Sequence, residues 1–125
     1  MAKMQEDRYL TLVAGADFSA KQYFIAALDA SNEGEAVLAN AQTLPIIGVI
    51  ENYPEADDTV RIVLPQSGTM KVKCGGNISI GGYVTADSAG KAIATTTAGD
   101  MVIGRALEAG ADGRIIEIAC MFFRY

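Results

Sequence analysis

Short apolar runs alternate with clusters of Gly, Asp, Asn and Ser along most of the chain, most regularly from Cys74 to Ile118. Runs of this kind, bounded by turn residues, predict short β-strands joined by tight turns. Glycine supplies the positive φ values such turns need, and Asp or Asn side chains cap their own backbone. In Thr69-Met70-Lys71-Val72-Lys73-Cys74 the alternation is strict, so Met70, Val72 and Cys74 face one way and Thr69, Lys71 and Lys73 the other. Thr59 to Leu64 alternates as well. Glu35 to Ala39 reads as a hairpin partner after the turn Asp29 to Gly34, and Leu44 to Glu51 as a strand with Pro45 at its start. The Ala-rich run Tyr23 to Leu28 fits helix or strand; its shortness and its likeness to Tyr83-Val84-Thr85 decide for strand. Thr95-Thr96-Thr97 argues against a helical turn at Ala92 to Ala98. The run Arg114 to Met121 is apolar on both faces apart from Glu117. That predicts a strand central in its sheet or covered by a partner subunit.

The pattern also repeats. Gly34 with Gly90 and Gly48 with Gly104 share one offset of 56 residues. Around them, Tyr23-Phe24-Ile25-Ala26 is like Tyr83-Val84-Thr85-Ala86, and Ile46-Ile47-Gly48-Val49-Ile50-Glu51 is like Val102-Ile103-Gly104-Arg105-Ala106-Leu107-Glu108. Asp58-Thr59-Val60-Arg61-Ile62 is like Asp112-Gly113-Arg114-Ile115-Ile116. Two copies are too few for a solenoid, so a closed or sandwiched pair of half-modules is expected. The predicted fold is therefore all-β: a small β-barrel or sandwich-like domain built from two related half-modules, with an extended N-terminal arm. The arm is placed at residues 1–16, and a single β domain at 17–125 with half-modules at about 17–64 and 69–121. Within the arm, Tyr9 to Gly15 reads either as a first strand or as an extended tail.

Composition narrows the function. Half of the 125 residues are hydrophobic but only 7% are aromatic, so the core is expected to be thin layers of Val, Ile, Leu and Ala. Between Gln22 and Val60 there are seven acids (Asp29, Glu33, Glu35, Glu51, Glu55, Asp57, Asp58) and no Lys or Arg. Such a region repels phosphate and speaks against nucleic-acid binding. It reads as a solvated face; the acids lack the dense spacing of a calcium loop. Met1 to Arg8 is polar, without a secretory pattern, and no uncharged apolar run reaches membrane-spanning length. A reducing cytosolic origin is expected, with Cys74 and Cys120 as buried thiols rather than a disulfide.

Candidate chemistry is sparse. The chain has no His, the usual general base and commonest metal ligand, so Cys–His and Ser–His arrangements are impossible. Ser19 and Lys21 alternate on the chain and would face opposite ways. Gly90-Lys91-Ala92 lacks the Ser or Thr of a phosphate loop. The pairs Gly75-Gly76 and Gly81-Gly82 are read as tight turns rather than an anion cradle, and Asp57-Asp58 as solvated. No catalytic, cofactor or metal residue is expected, and the chain is read as a non-enzyme.

One resemblance remains. Asp17-Phe18-Ser19-Ala20-Lys21-Gln22-Tyr23, Ile47-Gly48-Val49-Ile50-Glu51-Asn52, Gly81 to Asp87, Gly99 to Glu108 and Gly113 to Ile118 together resemble the small capsid decoration (cement) proteins of tailed bacteriophages. The resemblance implies a β-barrel-like domain on the outer surface of the phage head, reinforcing it against internal DNA pressure. It implies the major capsid protein and further copies of the chain as partners, with a homotrimer favoured. It implies synthesis in the host cytoplasm, and no nucleic-acid or membrane partner. Candidate capsid or subunit contacts are Met4, Arg8 and Tyr9 at one end and Met121, Phe122, Phe123 and Tyr125 at the other. The alternative function is a free cytosolic β-barrel module with a small-ligand site inside the barrel.

Overall fold

The computed structural model describes residues 9–42, 45–64 and 68–125. Among the described residues there are strands and turns and no helix. The strands are β1 (Tyr9–Ala14), β2 (Ile25–Leu28), β3 (Glu35–Leu38), β4 (Ile46–Ile50), β5 (Thr59–Val63), β6 (Thr69–Lys73), β7 (Tyr83–Ala86), β8 (Ala92–Ala94), β9 (Met101–Ala106) and β10 (Ile115–Arg124). The first five close into a barrel in the order β1-β3-β2-β4-β5, with β1 parallel to β3 and antiparallel to β5. The last five form a second sheet in the order β6-β10-β9-β7-β8.

The two sheets repeat one pairing scheme, and their registers superpose. Ala26 opposite Gly48 becomes Val84 opposite Gly104; Val49 opposite Val63 becomes Arg105 opposite Ala119; Ala14 beside Ala36 becomes Cys74 beside Ala92. The offset is 60 residues from β1 to β6 (Ala14 to Cys74), 58 from β2 to β7 (Ala26 to Val84) and 56 from β4 to β9 (Gly48 to Gly104). Two expectations change as a result. Tyr83 matches Ile25 rather than Tyr23, whose counterpart is Gly81, because the segments before the second strand differ in length. Residues 9–14 are not part of an arm: β1 pairs along its length with β5 and completes the first barrel. Residues 1–8 lie outside the described residues.

Each half keeps a glycine where its fourth strand crosses the fifth. A Cβ on Gly48 would overlap the Val63 carbonyl oxygen and stand 2.6 Å from Ile62 Cγ2. On Gly104 it would stand 2.5 Å from the Ala119 carbonyl oxygen and 2.8 Å from Ile118 Cδ1. The obstacle is backbone of the adjoining strand, so no rotamer change relieves it. This close approach lets short strands curl tightly enough to enclose a core.

The halves differ in closure. In the first, Val13 N donates to Gly34 O at 2.9 Å and zips β1 to β3. In the second, the corresponding seam holds only the isolated bridge between Cys74 and Ala92. The segment before and into β2 wedges into it instead: Lys73 N donates to Tyr23 O at 2.9 Å, and Ile25 N donates to Gly90 O at 2.7 Å. A third backbone bond, Met101 N to Gln42 O at 2.8 Å, ties the halves further along.

The core follows this asymmetry. The first barrel has its own buried cluster of Ala14, Phe18, Phe24, Ala26, Ala36, Ile50, Val60 and Ile62. The second sheet buries Met70, Val72, Cys74, Ile78, Val84, Ala86, Ala92, Ile103, Ala106, Ile116 and Ile118 in one cluster with Ile25, Ala27, Ala39, Ile46 and Val49 of the first half. The outer face of the barrel thus completes the core of the second sheet, and hydrophobic burial spans the joint. β10 is flanked by β6 and β9, the central position its two apolar faces predicted.

Candidate assembly surface

The barrel interior is filled. Phe18 and Ile78 are matched in the two halves and are both buried as plugs. The described cavities lie at the joint instead. One, of about 280 Å³, is lined by Tyr9, Tyr23, Glu51, Val63, Lys71 and Glu117 among others. The other, of about 250 Å³, is lined by Ser19, Ala20, Gln22, Tyr23, Tyr53, Lys73 and Ile115. Both are open clefts of mixed polarity, so an enclosed ligand chamber inside the barrel, the setting of the small-ligand alternative, is not what the strands build.

The glycine pairs carry turns. A Cβ on Gly75 would overlap the Asp87 carboxylate, which accepts from Ala89 N at 2.8 Å and Lys91 N at 2.9 Å. That carboxylate sits against the glycine and is matched in the first half by Asp29, which accepts from Ser31 N. The Ser31 N–H, helped by Asn32, holds the Asp29 carboxyl below the usual range. Among the described residues, no group of three or more His, Cys, Asp or Glu is placed to hold a metal ion. Cys74 and Cys120 are free thiols; burial raises both, Cys120 to about 11, so neither is poised as a thiolate near neutral pH. Glu33, Glu55, Asp57 and Asp58 of the acidic region are exposed.

The predicted contact residues fall into different settings. Met4 and Arg8 lie outside the described residues. Tyr9 sits under the Arg61 guanidinium, 4.1 Å from the ring centre, and its hydroxyl donates to Glu51 at 3.4 Å. Met121 is half-buried and Phe122 packs against the larger core cluster. Phe123 and Tyr125 remain exposed at their outer edges while both stand edge-on to Tyr83, with ring centres 5.2 and 5.8 Å away. Arg105 stacks on the same ring at 4.8 Å and donates to its hydroxyl at 2.8 Å. Tyr83 and Arg105 escaped sequence reasoning because their partner residues lie in another strand; they are neighbours only through the β7–β9 register. The same holds for Ile80, 72% exposed, and Leu107, 49% exposed, which flank the hydrogen bond from Gly81 N to Ala106 O. Their counterparts in the first half are the polar Gln22 and Glu51.

A tandem pair of glycine-crossed β modules, with a packed interior, aromatic edges and no assembled catalytic group among the described residues, defines a binding or structural protein rather than a chemical site. Residues 14–120 match the family model for phage cement proteins. The chain belongs to the phage cement protein family, and its role is a structural one in the phage capsid. Its fold is similar to the crystal structure of the head fibre gp8.5 N base of bacteriophage phi29, with a TM-score of 0.75 at 20% identity over 92% of this chain and 94% of that one. No curated protein matches the chain.

Proposed function

We propose that this protein decorates the outside of a tailed-phage head and stabilises the shell against the pressure of packaged DNA, without a catalytic step. The observation that carries the reading is the family match over residues 14–120. The physics is consistent with it. The exposed acids Glu33, Glu55, Asp57 and Asp58 would oppose contact with packaged DNA and suit a surface facing solvent. Tyr9 and the outer edges of Phe123 and Tyr125 are the proposed contacts with the major capsid protein or a neighbouring copy, with Met4 and Arg8 preceding Tyr9 in the chain. The copies act as a homotrimer. Many modest contacts repeated over a lattice retain the protein by multivalency, so no single large interface is required.

Particles stripped of the protein, or made without its gene, test this on heating. Release of DNA at a lower temperature, restored by adding back the full chain and poorly restored by a chain lacking residues 1–8, is expected. Particles that hold their DNA equally well without it would overturn the stabilising role.

A further inference from the structure

The repeat makes one surface readable that neither half explains alone. In the first half, Ile25, Val49 and Val63 are cross-strand neighbours in one row on the outer face of β2, β4 and β5. Ile25 and Val49 are buried and Val63 packs beside them, all in the cluster completed by the second sheet. This row is the joint between the modules. The same registers place Tyr83, Arg105 and Ala119 in the matching row of the second half. No third module covers that row. The segment following Ala119 covers it instead.

β10 continues past the point where β5 stops. It pairs Cys120 with Gly104, shifts register by a bulge, and pairs Phe123 with Val102 and Arg124 with Met101. The continuation is locked at its end: Tyr125 N donates to Asp100 O at 2.8 Å, Gly99 N donates to Tyr125 O at 3.1 Å, and an Arg124 guanidinium N–H donates to Gly99 O at 2.8 Å. The bulge changes which side chains face the row. Phe123 and Tyr125 meet the Tyr83 ring edge-on, and Arg105 lies on the ring's face. Thus the three-residue row is apolar where a module packs on it, and is Tyr-Arg-Ala where a strand end with one wet side packs on it. Tyr and Arg tolerate that half-exposed setting, since each pairs an apolar body with a hydrated tip.

We infer that residues 121–125 are an intramolecular cap: they occupy the face to which a further module would dock, and make the second half the terminal unit of the pair. Terminal units of repeat arrays need such a cover because their last interface has no successor. The inference goes beyond capsid decoration and holds whatever the partner is. It places the work of Phe123 and Tyr125 first inside the chain, on Tyr83.

Hydrogen exchange on the full-length double variant Phe123→Ser, Tyr125→Ser tests it. The amides of β7 and β9 are expected to exchange at least tenfold faster, with those of β1 to β5 unchanged, and bis-ANS fluorescence is expected to rise. The converse variant Tyr83→Ala keeps the tail and removes its seat. It is expected to speed exchange at the Tyr125 amide while the Cys120 amide, which donates to Gly68 O, stays protected. The second variant also serves if the first does not fold. Unchanged exchange in both, or an equal rise in both halves, overturns the cap. So does a double variant that exchanges normally yet no longer binds particles, which would make the tail a docking element alone.

Discussion

The two halves of this molecule use one register and reach different ends. The first closes on itself, with its own core around Phe18 and Phe24. The second stays open at the β6–β8 seam and takes in the backbone at Tyr23 and Ile25 and the outer side chains of the first. A few residues account for the difference. Where Val13 stands beside Glu35 at the first seam, the second has Lys73 and Lys91. Two lysines side by side on neighbouring strands repel, and pairing there is disfavoured. Lys91 turns instead toward Asp112, 3.8 Å away. A repeat can therefore keep every ladder and still divide labour, one copy acting as a self-sufficient barrel and the other as a sheet that needs a neighbour.

The severest way to break the comparison is to cut it. Residues 68–125 alone are expected to remain unfolded, because five of the sixteen buried residues of their cluster belong to the first half. Chains near 60 residues are marginal even when complete. Circular dichroism of the isolated fragment, then of a mixture with residues 1–64, reads the outcome. A fragment that folds alone with a cooperative melt would show that the second half does not depend on its neighbour.

Next in size are the crossing glycines. Gly48→Ala and Gly104→Ala are each expected to cost about 3 kcal/mol, at the upper end of overpacking effects, since the collision is with a carbonyl of the adjoining strand. Urea midpoints at an unchanged m-value measure it. If only one substitution is costly, the two crossings are not equivalent and the shared scheme is weaker than the registers imply.

These glycines were legible in the sequence, as were the strands, because both leave local marks: alternation, turn residues, and a glycine inside an apolar run. The 56-residue offset could be read from Gly34, Gly48, Gly90 and Gly104. What could not be read was anything depending on loop length or pairing. Tyr23 looked like the counterpart of Tyr83, yet the extra residues before β7 move the match to Ile25. β1 was ambiguous because its only strong credential is its partner β5, fifty residues away along the chain in the case of Leu12 opposite Val60 and farther at the other end. The candidate contact residues of the tail were chosen for being aromatic; that Phe122 turns into the core while Phe123 turns to Tyr83 depends on a bulge no local pattern announces.

A smaller test uses the left-handed positions. The halves share three of them: Gly34 with Gly90, Tyr23 with Gly81, and Asp57 with Gly113, all at φ between 69° and 85°. The second half meets all three with glycine; the first spends backbone strain on Tyr23, whose carbonyl and side chain both serve the joint. Gly81→Ala is expected to cost about 1–2 kcal/mol, from left-handed strain alone, as nothing stands within 4 Å of the added methyl. Gly76→Ala, with no positive φ and only Ile93 Cγ2 at 3.7 Å, is the control and is expected to stay within about 0.5 kcal/mol of the parent. Equal effects at the two sites would remove the strain argument.

The smallest effect separates Ala27 from its counterpart Thr85. Both are fully buried, at 1% and 0% exposure, but the Thr85 hydroxyl has no hydrogen-bond partner among the described residues. A buried hydroxyl without a partner forfeits its bonds to water and costs about 1–3 kcal/mol. Valine has the same shape without that cost, and its branching suits a strand as well as threonine's. Thr85→Val is therefore expected to raise stability by about 1 kcal/mol, the lower bound of that cost, read as a higher urea midpoint. Thr85→Ser keeps the hydroxyl and loses a packed methyl, so it is expected to fall below the parent. In the first half the mirror change, Ala27→Thr, brings both an unpaired hydroxyl and extra volume to a packed position and should destabilise. If Thr85→Val lowers the midpoint instead, the hydroxyl is bonded in solution, and the second half then keeps a polar contact that its twin has replaced with apolar packing.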